Sequence, residues 1–313
     1  MAIVLTSVFP IFALILTGYI CARRNILGVA ATESLNNFVV WLALPALLFQ
    51  GMAGITAAAF GQPGFLLAFT GGMMLTFGLS FMLGTRAHHR LADRSIEGLD
   101  AAYANTGFMG IPLCLAALGQ ASLVPAIIAT ILTACVLFAV AIILIETDLA
   151  HTPQFAASLG KVARSLARNP LLVAPVLGVA VAVLHAKTGF TLPAPVLRYT
   201  SLLGGAASPC ALVTIGLFLA QSEPANNNAL IARLVGLKLL VQPAITYIIA
   251  FKLFSMPTVW SHTALILSAL PIGTGPFMLA KLYNREAAIT SRAILVSTVL
   301  SLITVSALVA WLE

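Results

Sequence analysis

Two stretches of the chain combine polar side chains with residues that break helices. The first runs from Asn105 to Pro112 and includes Gly107 and Gly110. The second covers residues 270–276 and reads Leu-Pro-Ile-Gly-Thr-Gly-Pro. Because proline removes a backbone donor and glycine favours unwinding, neither stretch is expected to continue as a regular helix. An unwound segment offers free peptide groups to a small polar ligand; the alternative is that both are ordinary proline kinks.

The residues around these breaks form a candidate substrate site. The predicted substrate-binding residues come from both breaks and from polar positions of neighbouring segments: Asn105, Thr106, Gly107, Gly110, Gly273, Thr274, Gly275, Lys238, Gln242, Gln50 and Thr214. The helix breaks themselves are assigned to Pro112, Pro271 and Pro276. Gln50 and Thr214 have a simpler alternative, because a single polar side chain in a membrane helix often bonds only a neighbouring helix.

Lys238 lies deep within an apolar stretch. At 1.5 Å per helical residue it is about 14 Å from the start of that stretch, near the middle of a bilayer. A charge at that depth is expensive and usually functional, although a lysine stem can also snorkel towards an interface. Gln242 follows one helical turn later on the same face. We interpret Lys238 as a group that binds substrate or supports the second break.

The composition places these residues in a membrane. Of 313 residues, 60% are hydrophobic and 8% are charged, whereas soluble domains carry charge at roughly a quarter of their positions. A membrane helix needs about 20 mostly apolar residues. Ten such spans are predicted, at 2–22, 33–53, 63–84, 99–118, 122–146, 170–187, 195–220, 229–254, 258–282 and 288–312.

The loops between these spans differ in their basic residues. The even-numbered loops hold Lys187, Arg198 and Lys252. The odd-numbered loops hold Arg23, Arg24, Arg86, Arg90, Arg94, Lys161, Arg164, Arg168, Arg233, Lys281, Arg285 and Arg292. Because cytoplasmic loops carry the excess of Lys and Arg, both termini are predicted to lie outside the cytoplasm. The first span is expected to be retained, since its charges follow it rather than precede it as in a signal peptide.

The longest loop divides the chain into two halves of five spans each. The predicted units are a first repeat at 1–147, a cytoplasmic linker at 148–169 and a second repeat at 170–313. Five is an odd number, so the second half must enter the membrane inverted relative to the first. Pro45 and Pro209 are separated by 164 positions, and so are Pro112 and Pro276, which supports the repeat.

The charge of the predicted membrane interior favours an anionic substrate. None of the 9 acidic residues falls at the middle of a predicted span, where a cation carrier would normally place a carboxylate. The broken helices add the positive ends of their dipoles. We therefore predict a secondary transporter of small organic anions that works by alternating access. Coupling to Na⁺ or H⁺ stays open, because backbone carbonyls alone can bind Na⁺.

Other function classes lack the residues they require. The chain has no H-E-x-x-H or G-x-S-x-G motif, so an intramembrane enzyme is the weaker hypothesis. Cys21, Cys114, Cys135 and Cys210 lie in apolar stretches without metal-ligand spacing, so no metal or cofactor is expected. No basic run with interleaved aromatic residues points to nucleic acid.

Several short motifs together resemble one family of membrane carriers. They are Phe9-Pro10-Ile11-Phe12 with Gly18-Tyr19, Leu44-Pro45-Ala46, Asn105-Thr106-Gly107 with Gly110-Ile111-Pro112, Asn169-Pro170, and Lys238-Leu239 with Gln242-Pro243. On these motifs, which run over nearly the full length, the chain resembles the auxin efflux carrier family of plant auxin exporters and bacterial carriers assigned to malonate.

The resemblance implies an all-α polytopic membrane protein with ten transmembrane helices in two inverted five-helix repeats, in which the broken helices 4 and 9 cross. It implies an elevator-type movement of a transport domain against a scaffold that often forms a homodimer. It also assigns Asn105 to a small organic anion, with malonate or auxin-like acids as candidates.

The chain departs from the plant members at two points. Thr274 and Pro276 stand where a second Asn is expected, and the third span lacks charged residues. A carboxylate carrier of the bacterial inner (plasma) membrane therefore fits better than an auxin exporter. The competing carrier hypothesis is a sodium-coupled bile-acid-type symporter or a cation/proton antiporter of related crossover fold.

Overall fold

The computed structural model describes residues 4–55, 61–84, 90–149, 160, 168–222 and 224–312. Within these ranges the chain is helical. The helices are α1 (Val4–Arg23), α2 (Val29–Ala53), α3 (Pro63–Leu83), α4 (Leu91–Ala102), α5 (Thr106–Leu118), α6 (Gln120–Leu149), α7 (Pro170–Thr188), α8 (Ala194–Leu219), α9 (Asn228–Leu253), α10 (Thr258–Ser268), α11 (Gly275–Leu282) and α12 (Ala288–Leu312).

Among the described residues, eight helices are long and apolar enough to cross a membrane. They are α1, α2, α3, α6, α7, α8, α9 and α12. The remaining four helices are shorter and form two consecutive pairs, α4 with α5, interrupted at residues 103–105, and α10 with α11, interrupted at residues 269–274. The second interruption falls almost entirely within the predicted stretch 270–276. The first interruption shares only Asn105 with the predicted stretch Asn105–Pro112, and Pro112 lies inside α5 rather than at the interruption. Arg86, Lys161 and Arg164, which support the predicted orientation, lie outside the described residues, as does most of the predicted linker.

The start of the fourth predicted span is wrong. The apolar pattern predicts a span from residue 99, whereas α4 begins at Leu91 and buries Glu97 and Asp100. Glu97 and Asp100 are thus buried inside the protein, whereas the sequence predicts no acidic residue at the middle of a span. The cause is that α4 packs against protein rather than lipid, since residues 95–102 are all buried, polar and apolar alike.

Two helix starts follow directly from the local sequence. The side chain of Asn169 accepts a hydrogen bond from the Leu171 N–H at 3.0 Å, and Pro170 occupies the first turn of α7, where a backbone donor is not needed. Asn227 caps α9 in the same way, accepting from the Leu230 N–H at 3.0 Å. These caps fix where the chain turns into two of its long helices.

The helices pack as two groups. α1 packs along α8, α7 packs along α2, and α2 also contacts α8, so these four form the four-helix group. The helices α3–α6 and α9–α12 pack mainly among themselves and form the eight-helix group. Inside the four-helix group the backbones approach closely, since a Cβ on Gly18 would collide with the Val213 carbonyl and one on Gly178 with the Phe49 carbonyl.

Candidate functional site

The two interrupted pairs of helices meet at their breaks. The Asn105 N–H donates to the Pro271 carbonyl oxygen at 3.0 Å, and the Gly273 N–H donates to the Tyr103 carbonyl oxygen at 3.0 Å. The residues between these contacts form an isolated antiparallel bridge. The bridge satisfies peptide groups that the breaks release from their helices, as the interior of a membrane protein requires.

Two side chains of α9 bind the ends of the helices that precede the breaks. Lys238 Nζ donates to the Ser268 carbonyl oxygen at 2.7 Å, and Gln242 Nε2 donates to the Ala102 carbonyl oxygen at 3.1 Å. Both side chains are fully buried. A helix C-terminus has unpaired carbonyls and a partial negative charge, so an ammonium and an amide are suitable partners there. Lys238 thus supports the second break, and its contact with substrate stays a prediction.

The glycines and prolines of the breaks serve close packing and helix starts. A Cβ on Gly273 or Gly275 would press against the Tyr103 ring, so the two segments meet closely only with glycine at these positions. Pro112 follows the wide turn Thr106–Gly110 within α5, and Pro276 lies in the first turn of α11. A proline there costs no hydrogen bond, because the first N–H groups of a helix have no intrahelical partner.

Asn105 lies at the end of the first unwound segment. Its carbonyl oxygen accepts from the N–H groups of Met109 at 3.2 Å and Gly110 at 2.9 Å, which starts the next helix with a wide turn. Its side-chain amide makes no hydrogen bond with another of the described residues. The amide of Asn105 is therefore available to a ligand at the break.

A cavity of about 330 Å³ lies beside the breaks, between the two helix groups. α2 and α8 contribute its wall on the side of the four-helix group, and α5, α11 and α12 contribute the wall of the eight-helix group. Its main lining residues are polar or aromatic: Thr32, Glu33, Asn36, Phe108, Thr214, Phe218, Gln221, Thr274, Phe277 and Ser291. Such a mixture suits a small ligand with an apolar part and a few polar groups.

The predicted site residues differ in how they relate to this cavity. Thr214 and Thr274 line it, and the Thr214 hydroxyl donates to the Cys210 carbonyl of its own helix at 2.7 Å. Gln50 is half-buried on α2 and is not part of the lining. Thr106 is buried beside the break, where its N–H donates to the carbonyl of residue 104 at 2.8 Å. The other predicted residues also lie outside the lining: Asn105, Gly107, Gly110, Lys238, Gln242, Gly273 and Gly275.

Eleven of the thirteen lining residues were not predicted from the sequence, among them Asn36, Phe108 and Phe277. Asn36 belongs to the polar pair Asn36-Asn37 within the second span, and such a pair is a signal that sequence reasoning can use. Phe108 stands inside the predicted first break, but an aromatic residue in a membrane span does not by itself indicate a site. Phe277 follows Pro276 and has no distinguishing pattern either.

A family model described as "Membrane transport protein" matches residues 3–309. The chain belongs to this family. It is the auxin efflux carrier family that the motifs of the breaks and of α9 predict, so that prediction is confirmed. Membership makes the chain a multi-pass membrane transporter.

Relatives in the family match this chain to different extents. The "Putative malonate transporter" of Rhizobium meliloti (strain 1021) is 31% identical over 309 residues, which is 98% of this chain and 95% of that protein. An "Uncharacterized transporter" of Methanothermobacter thermautotrophicus is 26% identical over 95% of this chain and 94% of its own length. "Auxin efflux carrier component 1" of Arabidopsis thaliana is 29% identical over 141 residues, 44% of this chain and 22% of the plant protein.

Proposed function

We propose that this transporter carries small carboxylates such as malonate across the bacterial inner membrane by alternating access. The observation that carries the proposal is the bridge between two helix breaks beside a polar cavity, at the boundary of two helix groups. Broken helices that meet within a membrane protein are a recurring substrate site of secondary transporters. The full-length similarity to a protein named for malonate supports the substrate class.

Recognition of the anion rests on helix ends and neutral donors. α11 begins next to Thr274, which lines the cavity, and α5 begins next to Asn105. The first N–H groups of a helix are unpaired and carry partial positive charge, so they bind carboxylates well. Because the Lys238 ammonium is engaged by the Ser268 carbonyl, the substrate charge is balanced by these dipoles and by donors such as the Asn105 amide.

The packing of the four-helix group supports ten membrane crossings in two inverted repeats. If each interrupted pair crosses the membrane once, the chain has five crossings in each half. The packing of α1 on α8 then has its counterpart in α7 on α2. In each contact a glycine, Gly18 or Gly178, closely approaches a carbonyl of the partner helix, that of Val213 or Phe49, and these two carbonyls are separated by the same 164 positions as the paired prolines. Such symmetry gives one chain two related states that open to opposite sides.

Alternating access in this scheme is a movement of the eight-helix group against the four-helix group. The cavity lies between the groups, so sliding one along the other would open and close it. Its lining includes Glu33 near the start of α2 and Gln221 just after α8, close in sequence to the loops with Arg23, Arg24 and Arg233. We infer that the structure represents the state open towards the cytoplasm, since basic loops mark that side.

Exchange of labelled malonate into liposomes that contain purified protein and unlabelled malonate tests this proposal. Asn105→Ala removes a donor to a charged ligand, an interaction that contributes about 1.5–3 kcal/mol. Its apparent affinity for malonate should therefore fall by about 10- to 100-fold. Asn37→Ala is the matched control, since Asn37 is an exposed asparagine of α2 that belongs neither to a helix break nor to the cavity lining.

Two results would overturn the proposal. Native protein that exchanges neither malonate nor other mono- and dicarboxylates would exclude carboxylate transport. If folded Asn105→Ala exchanges malonate like the native protein, the substrate does not bind at the first break. An imposed Na⁺ gradient in the same liposomes tests the competing sodium-coupled hypothesis.

A further inference from the structure

A second cavity, of about 420 Å³, lies within the eight-helix group, and its lining shares no residue with that of the substrate cavity. It is enclosed by α4, by the start of α9, and by the loop that leads from α11 into α12. Its ionisable lining residues are Asp93, Glu97, Asp100, Arg285 and Glu286. Acids outnumber bases in this lining, so the partners of each acid decide what the cavity can bind.

Asp100 is the buried acid of this lining that has no basic partner among the described residues. It is 1% exposed, and its Oδ2 accepts a hydrogen bond from the Thr290 hydroxyl at 2.8 Å. Its Oδ1 is buried and has no hydrogen-bond partner among the residues that the structure describes. A buried carboxylate oxygen without a donor is costly if the group is ionised.

The charged groups on the surrounding helices do not compensate Asp100. The basic side chains are engaged elsewhere or exposed. Arg233 binds Glu97, and Arg285 binds Asp93. Lys238 binds the Ser268 carbonyl and Arg94 binds the Phe81 carbonyl, while Lys281 and Arg292 are exposed. The other acidic groups are Glu286, which is exposed, Glu146, which accepts from the Tyr283 hydroxyl, and Asp148, which accepts from the Ala92 N–H.

The place of Asp100 in α4 adds to the cost of its charge. It lies in the last turn of α4, two residues before the Ala102 carbonyl that Gln242 caps. A helix C-terminus carries partial negative charge, so an anion there is repelled. Either a metal ion or a proton could neutralise the carboxylate. The described residues contain no group of three His, Cys, Asp or Glu side chains that could hold a metal ion, which favours the proton.

We propose that Asp100 binds and releases the proton that is carried together with the organic anion, an inference that rests on the proposed function. Asp100 would take the proton from water on one side and remain neutral, bonded to Thr290, while the eight-helix group moves. It would release the proton to water on the other side. No bond of the substrate is made or broken. Asp100 does not contact the anion. The short segment that leads from α4 to Asn105 connects it to the substrate site, so it acts as a coupling residue.

The test uses proteoliposomes with the membrane potential clamped and a pH difference of one unit across the membrane. One coupled proton should drive about tenfold accumulation of labelled malonate in the native protein. Asp100→Asn, a neutral isostere of the protonated acid, should keep malonate exchange without a gradient and lose the accumulation. Glu286→Gln is the matched control, because it neutralises an exposed acid of the same cavity and should accumulate malonate like the native protein.

The possible failures are distinguishable. Native protein that exchanges malonate but does not accumulate it with the pH gradient would overturn the proton proposal and leave the carrier function intact. Absence of exchange would overturn the carrier function itself. Accumulation by Asp100→Asn would assign coupling to another group.

Thr290→Val supplies a second measurement if Asp100→Asn does not fold. It removes the hydroxyl that favours the ionised carboxylate, so the pH profile of uptake should move upward by about one unit. An unchanged profile in Thr290→Val would overturn the proposal.

Discussion

The two helix breaks share a geometry but differ in chemistry. At the first break the last carbonyl of α4 is bound by the neutral amide of Gln242, and the chain continues into Asn105 with its free side-chain amide. At the second break the last carbonyl of α10, that of Ser268, is bound by the ammonium of Lys238. The unwound residues 269–274 then contain Pro271 and Gly273. The first break thus keeps the polar side chain of Asn105 for a ligand, whereas the helix end at the second break has the stronger hydrogen-bond partner, Lys238.

The backbone of each break agrees with this division. After the first break the Gly110 N–H bonds the Asn105 carbonyl five residues earlier, at 2.9 Å, and such wide turns occur frequently at functional sites. At the second break Pro271 fixes its own φ and Gly273 packs against the Tyr103 ring, so little adjustment is possible. We therefore predict that the first break recognises the substrate and that the second holds the crossing in place.

The largest effect is expected for Lys238, because its cap is charged. Lys238→Met keeps most of the buried volume but leaves the Ser268 carbonyl without its donor. Loss of a hydrogen bond from a charged group should lower the free energy of unfolding by about 1.5–3 kcal/mol. Lys238→Ala adds a cavity, for a total of about 2–5 kcal/mol. Both variants should lose malonate transport, as measured by exchange in liposomes, with thermal unfolding in detergent as the measure of stability.

The pair of Lys238 variants also tests whether the cap is needed at all. Burying an ammonium is costly, so a stable Lys238→Met protein that transports normally would show that the second break keeps its shape without a charged partner. The stronger-cap interpretation would then be wrong, and packing around Gly273 would have to hold the break.

A smaller effect is expected for Gln242. Its amide donates a neutral hydrogen bond to the Ala102 carbonyl, and its own Oε1 has no partner among the described residues. Gln242→Leu keeps the volume, removes this unsatisfied oxygen and loses one neutral bond, so the free energy of unfolding should fall by about 1 kcal/mol. Thermal unfolding of Gln242→Leu and Lys238→Met, measured under the same conditions, compares the two caps directly. If the free energy of unfolding falls more in Gln242→Leu than in Lys238→Met, the Gln242 cap is the stronger of the two.

The proline and glycine pattern located the second break and placed the first one mostly after its actual position, but it did not identify the partners that complete either break. Pro112, Pro271 and Pro276 are visible in the sequence because proline and glycine act on their own backbone. The depth of Lys238 indicated a special role, and support of the second break was one of its two predicted roles. That its ammonium reaches Ser268 depends on how α9 packs against α10, which no local pattern encodes.

The errors in the prediction have one physical origin. Hydropathy detects helices that face lipid, whereas α4 is enclosed by protein and carries polar residues. The hydropathy pattern therefore missed the first two turns of α4 and the burial of Asp100. The cavity lining was also incomplete, because Asn36 and Phe108 come together only when the four-helix and eight-helix groups are packed. Helix breaks are local features, whereas cavities belong to the tertiary fold.

The smallest effect is expected for Thr274, the polar residue that the second break offers to the cavity. Thr274→Val keeps its shape and removes one hydroxyl, while the unpaired N–H groups at the start of α11 remain beside the cavity. The loss should therefore match one neutral hydrogen bond of about 0.5–1 kcal/mol, or roughly two- to fivefold in apparent affinity for malonate. Concentration dependence of exchange, measured with Asn105→Ala in parallel, checks this value. If Thr274→Val lowers the apparent affinity for malonate as much as Asn105→Ala does, both breaks recognise the substrate equally. The division of roles between the two breaks is then wrong.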